Sequence, residues 1–484
     1  MCGSGHIEAD LGYCPDRAAR SAVGDCDRPA QDLVNVPSGE GRYTMRFERS
    51  TTRRAVAAAV AGSLVLLASA CGGDSGSSGS STTGGGAAAL EGRGPITFAT
   101  GKDTSGFLPK QVAAWNSQHP TEKVEIKELP EDADAQRQQM VQNAQNQSDA
   151  FSVLNMDVVW TSEFAANQWI VQLPEDKFPD LSKLIPATVE TAKYRDKLYA
   201  VPITSDGGLL YFRKDLLTKA GVEPPKTWDE MLAACVKVQA LPEGKGMNCY
   251  SGQFEKYEGL TVNFSEAINS AGGVVVGKDG KPNVDTPEAL AGLEELTKGF
   301  TTGAIPKAAI TYKEEESRRA FQEGKLLFLR NWPYVYALAS KTDGSSKIVN
   351  KFGVAPLPGK TGPGVSSLGG HDYAISAFAK NKATAVDFIN FMASEARQKA
   401  NLTGSSQAPT WASLYDDPAL NKQFPYLTPL KASILGAQPR PRVVKYGDVT
   451  AAIQASAYDA LSGKTQPKQA LTDLQTKLSS LITQ

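Results

Sequence analysis

From Ile96 onward the chain alternates between two hydrophobic periods. Ile96 to Thr100, Val124 to Leu129 and Val153 to Trp160 are short apolar, β-rich runs that predict strands. Between the first two, Phe107, Val112 and Trp115 recur at helical spacing, which makes a βαβ order and predicts largely parallel sheets. Thr227-Trp228-Asp229-Glu230 reads as a capping box opening a helix through Met231, Leu232 and Cys235. Thr286-Pro287-Glu288 opens another, with Leu290, Leu293 and Leu296 on one face. Gly277-Lys278-Asp279-Gly280 predicts a hairpin turn, and further helices are expected through Ala385 to Met392 and Ala470 to Ile482. Trp115, Trp169 and Trp228 fall within helical patterns and are expected in the core.

Before Gly94 the pattern changes. Arg46, Arg49, Arg53 and Arg54 precede an apolar stretch from Ala55 to Leu67, shorter than the ~20 residues of a membrane span. Small residues Ala68-Ser69-Ala70 then lead to Cys71. This segment, 45–70, resembles a lipoprotein signal peptide with its lipobox, although the usual Leu three places before the cysteine is Ala68 here. The resemblance implies lipidation of Cys71 and anchoring to the outer face of the cell membrane. Thr52-Arg53-Arg54-Ala55-Val56 also fits a twin-arginine signal, so the export route stays open. Because a secretion signal begins a chain, Met45 is the expected start, and residues 1–44 are read as lying upstream of it or as a disordered leader. The Gly/Ser-rich stretch within 71–94 reads as a flexible tether.

A formal net charge of -1 with 21% charged residues gives no footprint for nucleic acid or for a basic membrane face. The length after Gly94 suits two lobes with separate cores. Only Cys235 and Cys249 lie in that portion, and in an oxidising compartment they are expected to form a disulfide. Three histidines, His6, His119 and His371, are too few for a histidine-rich metal site, and no cofactor is expected. Neither a GxSxG nor an HExxH motif occurs. Gly359-Lys360-Thr361 is out of register with Gly353 for a phosphate loop.

Several segments, in this order, resemble the extracellular sugar-binding proteins of ATP-driven importers. They are Leu198-Tyr199-Ala200-Val201-Pro202 with Leu210 to Leu216, Tyr257-Glu258-Gly259-Leu260, Phe321 to Gly324 with Arg330-Asn331-Trp332-Pro333, Leu368-Gly369-Gly370, and Arg440-Pro441 before Tyr446. Met156 to Phe164 is most similar to the trehalose-binding lipoproteins of the group that also takes maltose and related α-glucosides. The resemblance implies an α/β, two-lobe type II periplasmic-binding fold with a hinge and an interlobe cleft. Lobe 1 is expected at 95–204 plus 371–404, and lobe 2 at 205–370 plus 405–484. It further implies a monomer that captures an α-linked disaccharide and delivers it to a membrane permease served by a separate ATPase.

Sugar capture needs planar polar side chains for ring-edge hydroxyls and aromatic faces for C–H patches. Asp157, at the C-terminal end of a predicted strand, is expected to accept from hydroxyls. By the resemblance Asp206 stands at the first crossover, where trehalose binders often carry Asn, and Gly370 and His371 stand at the second. Trp332 is the expected stacking residue, and Arg440 the expected ligand-binding arginine, with Arg442 as its alternative. Asp103, Gln253 and Tyr257 complete the candidate set. Trp332→Ala and Arg440→Ala are each expected to abolish binding with the fold intact. A different solute, a secreted carbohydrate-active enzyme and a lipid-anchored scaffold stay open as alternatives.

Overall fold

The computed structural model describes residues 90–482; the leader, the signal, Cys71 and most of the tether lie outside the described residues. Among the described residues, nine strands build the two larger sheets. They are β1 Ile96–Gly101, β2 Val124–Leu129, β3 Val153–Asp157, β4 Ala200–Thr204, β5 Leu209–Arg213, β6 Asn248–Ser251, β7 Leu326–Asn331, β8 Phe352–Pro356 and β9 His371–Ile375. The first sheet has the order β2-β1-β3-β9-β4 and the second β8-β5-β7-β6. The fold is thus α/β with two lobes, one around each sheet.

The expected parallel arrangement is only partly present. β1 pairs parallel with β2 and β3, and β6 with β7, but β9 runs antiparallel to both β3 and β4, and β5 antiparallel to β7 and β8. The reason is the chain path. After β4 the chain leaves the first sheet, builds the second, and returns as β9 from the far side, so it enters between β3 and β4 in the opposite direction.

Predicted elements recur close to their expected bounds. Phe107 precedes the helix Leu108–Gln118, whose Trp115 is buried and donates Nε1–H to the Glu122 carbonyl at 2.8 Å. Thr227 Oγ1 accepts from the Glu230 N–H and the Glu230 carboxylate from the Thr227 N–H, both at 3.2 Å, completing the capping box of helix Trp228–Gln239. β5 and β7 are nearly continuous apolar runs because their sheet is covered on both faces. The turn at Gly277–Gly280 forms, flanked by a single bridge, Val276 to Pro282.

One hydrophobic cluster lies on the first sheet around Phe98, Trp115, Val153 and Phe388. Three others surround the second sheet. Leu184, Ile185 and Leu402 pack with Leu209, Tyr211 and Trp411, so the seam between the lobes is built from both. Cys235 and Cys249 form a disulfide joining helix Trp228–Gln239 to β6, with Cα atoms 5.4 Å apart. It closes a loop with a sequence separation of 14. Replacing both cysteines by serine is expected to cost about 3 kcal/mol of stability, read by denaturant unfolding. A loss below about 1 kcal/mol would show that the bridge constrains the unfolded chain little.

Candidate functional site

The C-terminal ends of the first sheet face the second lobe across a cavity of about 730 Å3, within the ~300–1,000 Å3 usual for small-molecule sites. On the first-lobe wall, Asp157 ends β3 and His371 begins β9, paired in register. The His371 backbone N–H donates to Thr204 Oγ1 at 2.9 Å, and the residue lines the cavity on this wall. Burial lowers the His371 imidazole below its ordinary value, so it presents one donor and one acceptor rather than a charge. Gly370, at φ +120°, is where the chain passes into β9; a Cβ there would sit 2.1 Å from the Thr204 carbonyl oxygen.

Asp206 projects into the cavity from the first crossover, its backbone exchanging hydrogen bonds with Gly369 at 3.1 and 2.8 Å. Its carboxyl has no hydrogen-bond partner among the described residues. Burial, with the nearby Asp157 charge, pushes it up to about 7 against the pull of Arg330. Trp332 follows directly on β7 and lines the same cavity. The Arg330 guanidinium lies 3.9 Å from the centre of its ring system, and Gly369 packs on its edge.

Arg440 is the electrostatic centre of the cleft. It is 2% exposed, and its Nη groups donate to both Asp157 oxygens at 2.7 and 3.2 Å and to Glu258. Glu258, the first residue of helix Glu258–Ser270, also accepts from Tyr446 Oη and, at 2.7 Å, from Thr450 Oγ1. Burial raises the Glu258 carboxyl, opposed by Arg440. Arg440 Nε is buried without a partner among the described residues. One guanidinium thus ties the first lobe at Asp157 to the second at Glu258. Arg442 lies outside the cleft wall, its Nη2 donating to the Lys193 carbonyl at 3.3 Å.

Three candidates take different places from those expected. Gln253 is a correction: it is fully buried outside the cavity lining, with Nε2 donating to Ser317 Oγ and the Arg330 carbonyl and Oε1 accepting from Arg330 Nη1. Its amide is spent on holding Arg330. Asp103 lines the cavity, but its oxygens accept from Ser105 N–H, Ser105 Oγ and Leu108 N–H, so it is committed to the start of helix Leu108–Gln118. Tyr257 also lines the cavity, but it is buried, its hydroxyl donates to Glu314 at 2.6 Å and the Lys313 ammonium lies 5.2 Å from its ring centre.

Sequence reasoning missed Glu258 and Asn155. Glu258 follows Tyr257 in the Tyr257-Glu258-Gly259-Leu260 motif. Asn155 lies two residues before Asp157 on the same strand face, where simple alternation would have found it. Its Nδ2 donates to Thr100 Oγ1 at 2.9 Å while Oδ1, in the cavity lining, is buried without a partner among the described residues.

Two open α/β sheets, facing strand ends and a polar cavity with the Trp332 ring in its wall define a two-lobed solute-binding protein. Residues 99–399 match the family of bacterial extracellular solute-binding proteins, and the chain belongs to that family. A Deinococcus radiodurans protein named as an ABC transporter-binding protein is 34% identical over 398 residues, covering 80% of this chain and 93% of that one. The maltose-bound MalE3 of T. maritima has the same fold with a TM-score of 0.76 at 33% identity, over 80% of this chain and 99% of that chain. The GacH receptor of Streptomyces glaucescens shares the fold, with a TM-score of 0.71 at 23% identity over 81% and 99%. The chain is therefore a solute-binding protein that works outside the cytoplasm, and not an enzyme.

Proposed function

We propose that the protein captures an α-linked disaccharide, trehalose first and maltose or another α-glucoside next, by closure of its lobes, and passes it to the permease of an importer. The observation that carries this reading is the juxtaposition, in one cavity, of the Asp157, Asp206 and His371 polar groups with the Trp332 ring face. Its volume leaves room for two sugar rings, and the maltose-bound relative at 33% identity supports an α-glucoside. Closure follows from a ligand that touches both walls only when they approach. On the same reading the lobes divide at 204/205, 370/371 and 404/405, the protein is a monomer held to the membrane by lipidated Cys71, and a separate ATPase drives transport.

The test is the melting temperature of the purified protein against trehalose, maltose, sucrose, cellobiose and glucose. Ligand at about 100 times Kd adds about 2.7 kcal/mol, a readable shift. A shift confined to one α-disaccharide is expected; none with any of them, in protein shown free of carried-over sugar, overturns the proposal.

Asp206 adds a pH dependence. Hydroxyls donating to its carboxylate favour the ionised form, so binding lowers its pKa from about 7 and releases a proton. Affinity is therefore expected to rise as pH is raised from about 5 and to level above about 7, with a flatter profile in Asp206→Asn. Calorimetric titration in buffers of different ionisation enthalpy reads the proton directly; identical profiles in both proteins would remove Asp206 from the ligand contacts.

A further inference from the structure

Beneath the cleft lies a nearly dry ion pair. Arg330, 1% exposed, donates to both Glu266 oxygens at 2.7 and 2.6 Å and to Gln253 Oε1 at 3.1 Å. Such a pair loses much of its Coulomb gain to desolvation, and apolar residues of similar volume often replace one at no loss of stability. Stability alone therefore gives it no reason to exist. Its surroundings do. Arg330 and Trp332 are two residues apart and share a face, which brings the planar guanidinium to 3.9 Å from the ring centre. Gly369 closes the edge, where an added Cβ would come within 2.9 Å of two ring carbons.

The pair also reaches both crossovers. Glu266 Oε1 accepts from the Ser367 N–H at 3.1 Å, and Ser366 Oγ accepts from the Gly208 N–H at 2.6 Å. Gly208 is a glycine because a Cβ there would lie 2.6 Å from Glu266 Oε1 and 2.9 Å from Arg330 Nη2. The segments carrying Asp206 and Gly370 are thus indexed to the same buried charges as the indole.

We propose that Glu266 and Arg330 are positioning residues that hold Trp332 as a pre-set stacking platform in register with both crossovers. The inference rests on reading the cleft as a sugar site. An indole already backed by a guanidinium loses little rotamer freedom when a sugar stacks on its open face, and that pre-organisation appears as affinity. Lysine cannot substitute, because it lacks the planar, forked head.

Two variants test it: Glu266→Leu with Arg330→Met, which removes both charges at similar volume, and Arg330→Lys, which keeps the charge. Each is made with and without Trp332→Phe, so that subtraction isolates the Trp332 fluorescence in ligand-free protein. Affinity is read with the sugar giving the largest thermal shift. A displaced, more readily quenched Trp332 component together with about tenfold weaker binding is expected in both. An unchanged Trp332 component in either variant, provided that variant melts cooperatively, overturns the inference whether or not affinity falls. If the parent binds no sugar, the functional reading fails, while the fluorescence comparison still decides the positioning role.

Discussion

Trp332→Ala is expected to weaken binding of the cognate sugar by about 100-fold, or about 2.8 kcal/mol, while leaving the fold intact. The backbone at this position does not depend on the indole. The Trp332 N–H donates to Asn331 Oδ1 at 2.8 Å, and the carbonyls of Trp332 and Pro333 accept from Tyr211 Oη at 2.9 and 3.2 Å. The ring is half-buried rather than a core filler. Its removal costs a sugar its apolar contact and opens the Arg330 guanidinium to the cavity, where water covers it in the free protein. A ligand must then displace that water, which adds to the lost contact. Trp332→Phe, with a smaller face over the same guanidinium, is expected to fall between. Isothermal titration alongside thermal melting separates the effects. Affinity within about threefold of the parent would move the stacking role to another ring of the cavity wall.

What could be read from the chain and what could not divides by sequence distance. That Asp157 lies in the cavity wall was legible because the C-terminal strand ends of an open α/β sheet line its crevice, and its pairing with His371 follows once β9 is placed beside β3. The places of Trp332 and Arg440 in the cavity lining were legible through their motifs. Gln253 was misread because nothing near it in sequence shows Arg330, 77 positions away, which claims its amide oxygen. The same holds for Glu258, whose partners Arg440, Tyr446 and Thr450 lie 182 to 192 positions on. Asp103 erred the other way: its partners are two and five residues distant, a local capping pattern outweighed by its place after the first strand. The mixed first sheet has a topological cause, the late return of His371–Ile375, which no local pattern carries.

Arg440→Ala, expected from sequence to spare the fold, is expected from the structure to cost about 3–5 kcal/mol of stability as well as sugar affinity. The guanidinium is the shared counter-charge of Asp157 and Glu258, and both carboxylates lie in a nearly dry setting, at 14% and 4% side-chain exposure. Alanine removes the charge and leaves the carboxylates facing one another across the vacated space. The cost has a definite pH signature. Burial already raises the Glu258 carboxyl, and without Arg440 it rises further, so the folded variant holds a proton that the unfolded chain releases above its ordinary carboxylate range. With more protons bound in the folded than in the unfolded state, stability falls as pH rises through that window. The deficit relative to the parent should therefore be smallest near about pH 5 and largest near about pH 8. Arg440→Lys, which keeps the charge but not the fork that spans both Asp157 oxygens, should recover most of the stability and little of the affinity. Denaturant unfolding at three pH values checks the first claim and calorimetric titration the second. A pH-independent deficit would mean that the buried carboxylates find other partners when Arg440 is gone, and the link it makes between the lobes would then be packing rather than charge.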